Sequence, residues 1–476
     1  MLKLYSVEQA QAIDRQAIEH HSLSGLVLMK RAAEFAFELL QQHWPQARRL
    51  YIICGIGKNG GDGYALAKIA HIAGFKVQIA QVEQPPRHGD AASTRQEAEA
   101  LGLTPQTFDP QQLALTDVVV DALFGIGLNR PLDPSWLQVI THVNEAQRPV
   151  LALDVPSGLD ANNGQVLGGA IRADHTASFI VNKIGLFLND GLDYAGQVHL
   201  SDLSLPPTLL DNFSPLATSW DVDDLPSLNR MYNSHKGTYG TALLIGGNSH
   251  MMGALALAGQ ACLRAGTGLV KLISRAEHLT ALTQMQPELM TYEARDFHKL
   301  SGKTKVIAIG PGLGIDSWAW DLFEKVCKSK QPLVLDADAL NCLALEPFLY
   351  ERWILTPHPA EAGRLLERPT QVIQNDRVNA IQQLHKRYGG VIVLKGAGTL
   401  IYDGEQLALC RAGNPGMAVG GMGDVLTGII AGLVAQGLSL FDAARLGVEL
   451  HARTADRVAA ERGERSLLPS DVINAL

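Results

Sequence analysis

A chain of 476 residues exceeds what one hydrophobic core ordinarily organises, and 46% hydrophobic with 18% charged residues is the make-up of a globular protein, so two or three domains are expected. A formal charge of −8 and the lack of any long Lys/Arg run exclude a nucleic-acid partner. No basic-then-apolar leader opens the sequence and no apolar run approaches the roughly 18–20 residues of a membrane span, so no membrane association is expected. Five scattered cysteines (Cys54, Cys262, Cys327, Cys342, Cys410), none in CxxC spacing, indicate neither a disulfide framework nor a zinc site and fit a cytoplasmic location.

Strand-like runs alternate with helical ones, the pattern of an α/β architecture with parallel strands. In the first half, strands are expected over residues 50–54, 76–82, 117–121, 149–154, 175–181 and 197–200, with helices between them such as 65–73 and 91–101. Three loops follow strand ends: GIGKNGGDG (55–63), DALFGIG (121–127) with Asn129 and Arg130 behind it, and DVPSGLD (154–160). Ligands of doubly wound sheets bind outside the carboxyl ends of the strands, so the three loops converge on one crevice. The first loop is not a G-x-G-x-x-G match, and a glycine-rich turn of this kind serves tight-turn geometry as readily as phosphate binding. Asn59, Asp121 and Ser157 offer oxygen donors suited to a hard cation, or else cap helices and turns.

Residues 203–228 break this rhythm with Pro206, Pro207, Pro215 and Pro226 among polar residues, and the domain junction is placed there. The expected domains span 1–215 and 221–476. A second series of strands follows over 241–245, 269–274, 306–309, 332–336, 353–355, 391–394 and 407–410. KGAGT (395–399) is a glycine turn after a strand, able to hold a nucleotide. GGMGD (420–424) opens the apolar helical run 425–435, so backbone N–H groups and the positive end of a helix dipole are offered to an anion, with Asp424 beside it as a base.

The first half, carrying KNGGDG, DALFGIG and DVPSG in order, resembles the epimerase domain of the NAD(P)H-hydrate repair enzymes. The second half carries HKGTYG (235–240), GGNSHMMGA (246–254), GPGLG (310–314), DADALN (336–341), LTPHPAE (355–361), KGAGT and GNPGMAVGGMGD (413–424), and resembles the ribokinase-like dehydratase of the same family. The resemblance implies a Rossmann-like doubly wound domain followed by a ribokinase-like α/β domain. It further implies that the hydrated dinucleotide meets Lys58, Asn59, Gly60, Gly61, Asp62, Gly125, Ile126, Gly127, Leu128, Asn129, Arg130, Pro131 and Asp154, with K+ near Asn59, Asp121 and Ser157. The family's first loop asparagine is Lys58 here. In the second domain it implies that Ala254, Gly312, His358 and Asp424 face the hydrated nicotinamide nucleotide, while Lys395, Gly396, Ala397, Gly398, Thr399 and Gly423 hold ADP or ATP with Mg2+.

The residues agree with these roles. Gly125 and Gly127 N–H groups with Arg130 can hold pyrophosphate, and Asp154 can exchange a proton or else cap its turn. His358 between two prolines is a ligand contact or a turn-packing residue. Asp336 and Asp338 can serve a magnesium–phosphate assembly or satisfy loop N–H groups, and are left outside the catalytic set. Catalysis is assigned to Asp154 and Asp424. Small-molecule substrates and a homo-oligomeric state are expected. A vitamin-type kinase with an accessory domain would share the glycine turn and the aspartate of the second half, and an inactive nucleotide sensor would share its glycine-rich loops.

Overall fold

The computed structural model describes residues 1–20, 23–82, 88–220 and 230–476. Asp221, Pro226 and the rest of 221–229, the end of the expected junction, lie outside the described residues. The chain divides into two compact units, Lys3–Ala217 and Thr218–Leu476 with Met1–Leu2.

In the first unit the strands are β1 (Leu2–Tyr5), β2 (Arg49–Cys54), β3 (Lys76–Gln81), β4 (Gln106–Thr107), β5 (Val118–Ala122), β6 (Val150–Leu153), β7 (His175–Phe179), β8 (Asn182–Lys183) and β9 (Gln197–Ser201). Seven of them form one sheet in the order β4-β3-β2-β5-β6-β7-β9, parallel throughout. β2 and β5 read RLYIIC and VVVDA and are almost wholly buried, as strands covered on both faces must be. Strand order reverses between them, so the loops after β2 and β5 diverge and leave a crevice there. β1 pairs separately with β8, Leu4 opposite Asn182.

One helix differs from expectation. It runs Lys58–Ile72, seven residues earlier than the sequence pattern indicates, so KNGGDG is helical and not a loop. The reason is close packing. A methyl group at Gly60 would lie 2.0 Å from the Gly55 carbonyl oxygen and one at Gly61 2.6 Å from Met29 Sδ. Low helix propensity is overridden because only glycine lets this helix start approach its neighbours.

The second unit has β10 (Ala217–Ser219), β11 (Thr241–Ile245), β12 (Leu269–Ser274), β13 (Met290–Glu293), β14 (Val306–Ile309), β15 (Leu333–Leu335), β16 (Trp353–Leu355), β17 (Val391–Leu394), β18 (Thr399–Tyr402) and β19 (Leu407–Cys410). Their order is β13-β12-β11-β14-β15-β16-β17-β18-β19-β10. Pairings from β13 to β17 are parallel, and the order again reverses, between β11 and β14. β18, which lies outside the expected strands, runs antiparallel to both neighbours. Residues 395–398 close a hairpin there, with Gly396 and Gly398 at φ +144° and +70°, and Thr399 belongs to the strand.

The core of this unit is the helix Met422–Ala435, buried around its whole circumference from Val425 to Ala435. Its Gly428 admits the helix Met252–Arg264, since a methyl group there would meet the Ala258 carbonyl oxygen at 2.1 Å. All five cysteines are free thiols, four of them buried. Among the described residues no helix is long and apolar enough to cross a membrane.

Candidate active sites

In the first unit a cavity of about 690 Å³ opens at the β2/β5 switch point. Lys58, Asn59 and Asp62 from the helix Lys58–Ile72, residues 125–130 from the loop after β5, and Asp154 after β6 all line it. Gly60, Gly61 and Pro131 do not, so the two glycines serve helix packing and not the cavity wall. Lys58, 74% exposed, pairs at 2.7 Å with Asp14, which lines the same cavity.

Beneath the cavity floor, Asn59, Asp121 and Ser157 are knitted together around Phe124. Asn59 Nδ2 donates to the Phe124 carbonyl at 3.0 Å, while Ser157 Oγ accepts from Phe124 N at 2.8 Å and donates to Asp121 Oδ1 at 2.6 Å. Ser157 N donates to Asp121 Oδ2 at 2.7 Å. Asn59 Oδ1 is buried with no protein donor. An orphaned buried acceptor beside a buried carboxylate is a donor set that suits a hard monovalent cation. Burial pushes the Asp121 carboxyl up to about 6 against the hydrogen bonds from Ser157.

Asp154 sits in a left-handed backbone conformation, φ +65°, on the cavity wall. Its Oδ1 accepts from Lys183 Nζ, a lysine only 2% exposed. Lys183 also donates to the Phe179 carbonyl at 2.7 Å and to Ser178 Oγ at 3.2 Å, which fixes its ammonium under the aspartate. Oδ2 remains on the side of the loop after β5, where a methyl group at Gly125 would lie 3.3 Å away. Burial and the nearby Asp154 carboxylate hold Asp62 well above the usual carboxylate range. Lys183 was not among the expected site residues; a lysine two residues past the expected strand 175–181 ordinarily faces solvent, and only its contact with Asp154 reveals it.

In the second unit the site is assembled at the carboxyl ends of β14 to β17. Asp336, buried after β15, accepts from Lys395 Nζ at 2.8 Å, Thr356 Oγ1 at 2.8 Å and Thr427 Oγ1 at 2.9 Å. Lys395 also lies 3.8 Å from Glu361 Oε2. Burial disfavours its charge, but Asp336 and Glu361 outweigh that and raise its proton affinity. The helix Met422–Ala435 starts directly above: a methyl group at Gly423 would stand 3.4 Å from Lys395 Nζ and 3.6 Å from Asp336 Oδ2. Gly421, at φ +100°, caps that helix without any side chain, so its first N–H groups face the space over Lys395.

Asp424, in the first turn of this helix, is half-buried. Burial and the neighbouring Asp336 push its carboxyl up to about 7, with Lys395 acting in the opposite sense. His358 caps the helix Pro359–Leu366: its Nδ1 accepts from Ala360 N at 3.1 Å, and Glu361 Oε2 accepts from His358 N at 2.8 Å. That bonding assigns the proton to Nε2, which is left as a donor, and burial together with Lys395 lowers the ring below its ordinary proton affinity. His358 is thus a helix cap, and its Nε2 faces Glu361 Oε1 at 3.4 Å.

At the β11/β14 switch point, Asn248 N donates to the Gly312 carbonyl at 2.6 Å, and Gly312, φ +58°, backs onto Met251 and Ala254. Gly314 N donates to Asp338 Oδ2 at 2.8 Å, and Asp338 is one of the carboxylates that raise Asp424. The turn 395–398 is held from below by buried Arg377, whose guanidinium donates to the Ala397 carbonyl at 2.6 Å and the Leu394 carbonyl at 3.0 Å. Asp336, Glu361, Thr427 and Arg377 thus surround the expected residues without having been assigned to the site. Asp336, an acidic residue at a strand end, and Glu361, the last residue of LTPHPAE, carried a visible signal; Thr427 and Arg377 carried none.

A family profile described as NAD(P)H-hydrate dehydratase matches residues 242–476, and one described as YjeF-related protein N-terminus matches residues 25–185. The chain is 43% identical over 484 residues to the bifunctional NAD(P)H-hydrate repair enzyme of Coxiella burnetii, covering 99% of this chain and 98% of that one. It is 39% identical to the bifunctional NAD(P)H-hydrate repair enzyme of Escherichia coli K12, covering 97% and 91%. A crystal structure of the ADP/ATP-dependent NAD(P)H-hydrate dehydratase of Bacillus subtilis, co-crystallised with ATP and Mg2+, is 31% identical and covers 52% of this chain and 91% of that one, with a TM-score of 0.48. The chain belongs to the family of bifunctional NAD(P)H-hydrate repair enzymes, in which an isomerase domain precedes a ribokinase-like lyase domain.

Proposed function

We propose that the first unit interconverts the R and S forms of hydrated NADH and NADPH through Asp154, and that the second dehydrates the S form with ADP or ATP through Asp424. The observation that carries the second half is the meeting of Asp424, the open N-terminus of Met422–Ala435 and Lys395 over one space. A hydrated ring has a hydroxyl at C6, and hydroxide leaves poorly. Asp424 takes the hydroxyl proton as the oxygen attacks the terminal phosphoryl group of the nucleotide. The N–H groups of the first helical turn and Lys395 stabilise the charge on the transferred oxygens. The ring nitrogen lone pair then expels phosphate to leave an iminium, and loss of a proton from C5 restores the dihydropyridine.

The reading assigns the nucleotide to Lys395, Gly396, Ala397, Gly398, Thr399 and Gly423, and the nicotinamide end to Ala254, Gly312, His358 and Asp424. Asp336 and Asp338 would serve a magnesium–nucleotide complex, where the ion would neutralise phosphate charge. In the first unit, Asn59, Asp121 and Ser157 with the Phe124 carbonyl would hold K+, which there supplies fixed positive charge near the dinucleotide phosphates; the partnerless Asn59 Oδ1 supports this. Gly125, Ile126, Gly127, Leu128, Asn129 and Arg130 would carry the pyrophosphate, and Asp154, steadied by Lys183, would exchange the proton. A reducing, cytoplasmic setting fits five free thiols.

The test is direct. Purified protein is incubated with a mixture of R and S hydrates, Mg2+ and ADP or ATP, and NADH absorbance is followed. Complete recovery of both epimers is expected, and recovery without nucleotide, or phosphorylation of a thiazole or pyrimidine alcohol in preference, overturns it. Fragments 1–215 and 221–476 assayed apart are expected to divide the two activities between them.

A further inference from the structure

Three histidines meet in the first unit, at the end of the sheet opposite Asp154. His43 is the last residue of the helix Gly25–His43, His175 the first of β7, and His199 lies within the edge strand β9. Ala177 stands opposite His199 in the ladder, and His175 shares the face of Ala177, so both imidazoles project toward the same side of the sheet. One ring nitrogen from each histidine lies within 4.8 Å of the other two, and His175 Nδ1 approaches His199 Nε2 at 3.0 Å. The His43 ring stacks on His175 with centroids 3.8 Å apart, and its Nε2 is buried with no hydrogen-bond partner.

We propose that His43, His175 and His199 form a binding site for a nitrogen-preferring divalent transition metal such as Zn2+, closed at a fourth position by water or a small anion. The donor chemistry selects this class of ion. Three imidazoles without a carboxylate in the cluster suit zinc, nickel or copper and offer nothing to K+ or Mg2+. Four ligands at zinc–nitrogen bond length stand about 3.3 Å apart, inside the span of 3.0 to 4.8 Å that these nitrogens already occupy. The carbonyl end of the helix that carries His43 favours a cation. Such an ion would pin the end of Gly25–His43 to the sheet edge, far from proton exchange at Asp154.

Tag-free, chelator-stripped full-length protein is titrated with Zn2+ by calorimetry beside His199→Gln, with circular dichroism as the check on folding. Wild type is expected to take up one more tight equivalent than the variant, and epimerisation is expected to be unchanged in both. The carboxylates of the second unit bind zinc equally in the two proteins and cancel in the difference. Crystals of wild type soaked in Zn2+ and measured at the zinc edge supply a test without a variant, with an anomalous peak expected among the three rings. Equal stoichiometry in wild type and a folded variant, or no peak there, overturns the proposal.

Discussion

Both units gather their polar residues at the carboxyl ends of parallel strands beside a reversal of strand order, yet they treat the key aspartate in opposite ways. Asp154 is tied to Lys183, an ammonium that two further acceptors hold in place. Asp424 sits among Asp336, Asp338 and Glu361, and its carboxyl is lifted to about 7. The same fold logic therefore supplies a carboxylate fixed by a buried partner and one poised to take a proton near neutral pH. Tuning resides in how deeply each carboxylate is buried and in which charges stand beside it.

Replacing Asp424 by Asn tests the poised half most severely. Dehydration is expected to fall by roughly 10²–10⁴, the usual share of general-base catalysis, with ADP still bound and epimerisation intact. Turnover near wild type would falsify the base assignment and leave Asp424 as a residue of the helix start. In the other half, Asp154→Ala is expected to abolish epimerisation and to lower stability by about 3–5 kcal/mol, because Lys183 is then buried without its counter-charge. Adding Lys183→Met should return the stability but not the activity; chemical denaturation of the two variants separates these effects.

The pH dependence sharpens the contrast further. Dehydration should decline about tenfold per unit as pH falls below about 7, where Asp424 becomes protonated. Its stability linkage has the reverse sign. A carboxyl raised from 3.8 to about 7 binds its proton more tightly when folded, so stability is lost as pH rises through that window. Asp424→Asn should therefore be more stable than wild type at pH 8 and no more stable near pH 4, as thermal melts at the two values would show.

K+ offers a smaller perturbation of the first unit alone. At ten times its Kd it should stabilise that unit by about 1.4 kcal/mol at pH 8, and less below pH 6, because Asp121 titrates near 6 and its proton competes with the cation. Equal melts in potassium and in a bulky organic cation at pH 8 would remove the site. The mildest test is Gly125→Ala. Its methyl group would press on Asp154 Oδ2 at 3.3 Å, costing about 1 kcal/mol, or roughly fivefold in epimerisation, with dehydration unaffected.

Much of this was legible in the sequence because both sites hang on loops at strand ends, where glycine, aspartate and asparagine leave marks. DALFGIG, DVPSG and GGMGD each stand where a strand stops or a helix starts. What escaped was set by packing across the fold. Lys183 looks like an ordinary surface charge until the chain brings Asp154 to it. The early start of Lys58–Ile72 runs against glycine's propensity and depends on contacts with Met29 and Gly55. β18 is four residues long and follows the KGAGT turn directly, so period and length alone could not separate it from the turn.

The buried cysteines have a consequence for durability. Burial raises Cys262 and Cys327 to about 12 and Cys342 to about 11, and lifts Cys54 and Cys410 far above the ordinary thiol range. The thiolate is the form that peroxides and electrophiles attack, and at neutral pH almost none is present. Alkylation of the four buried thiols is then expected to be paced by how often the fold opens, so the rate of their loss becomes a clock for unfolding.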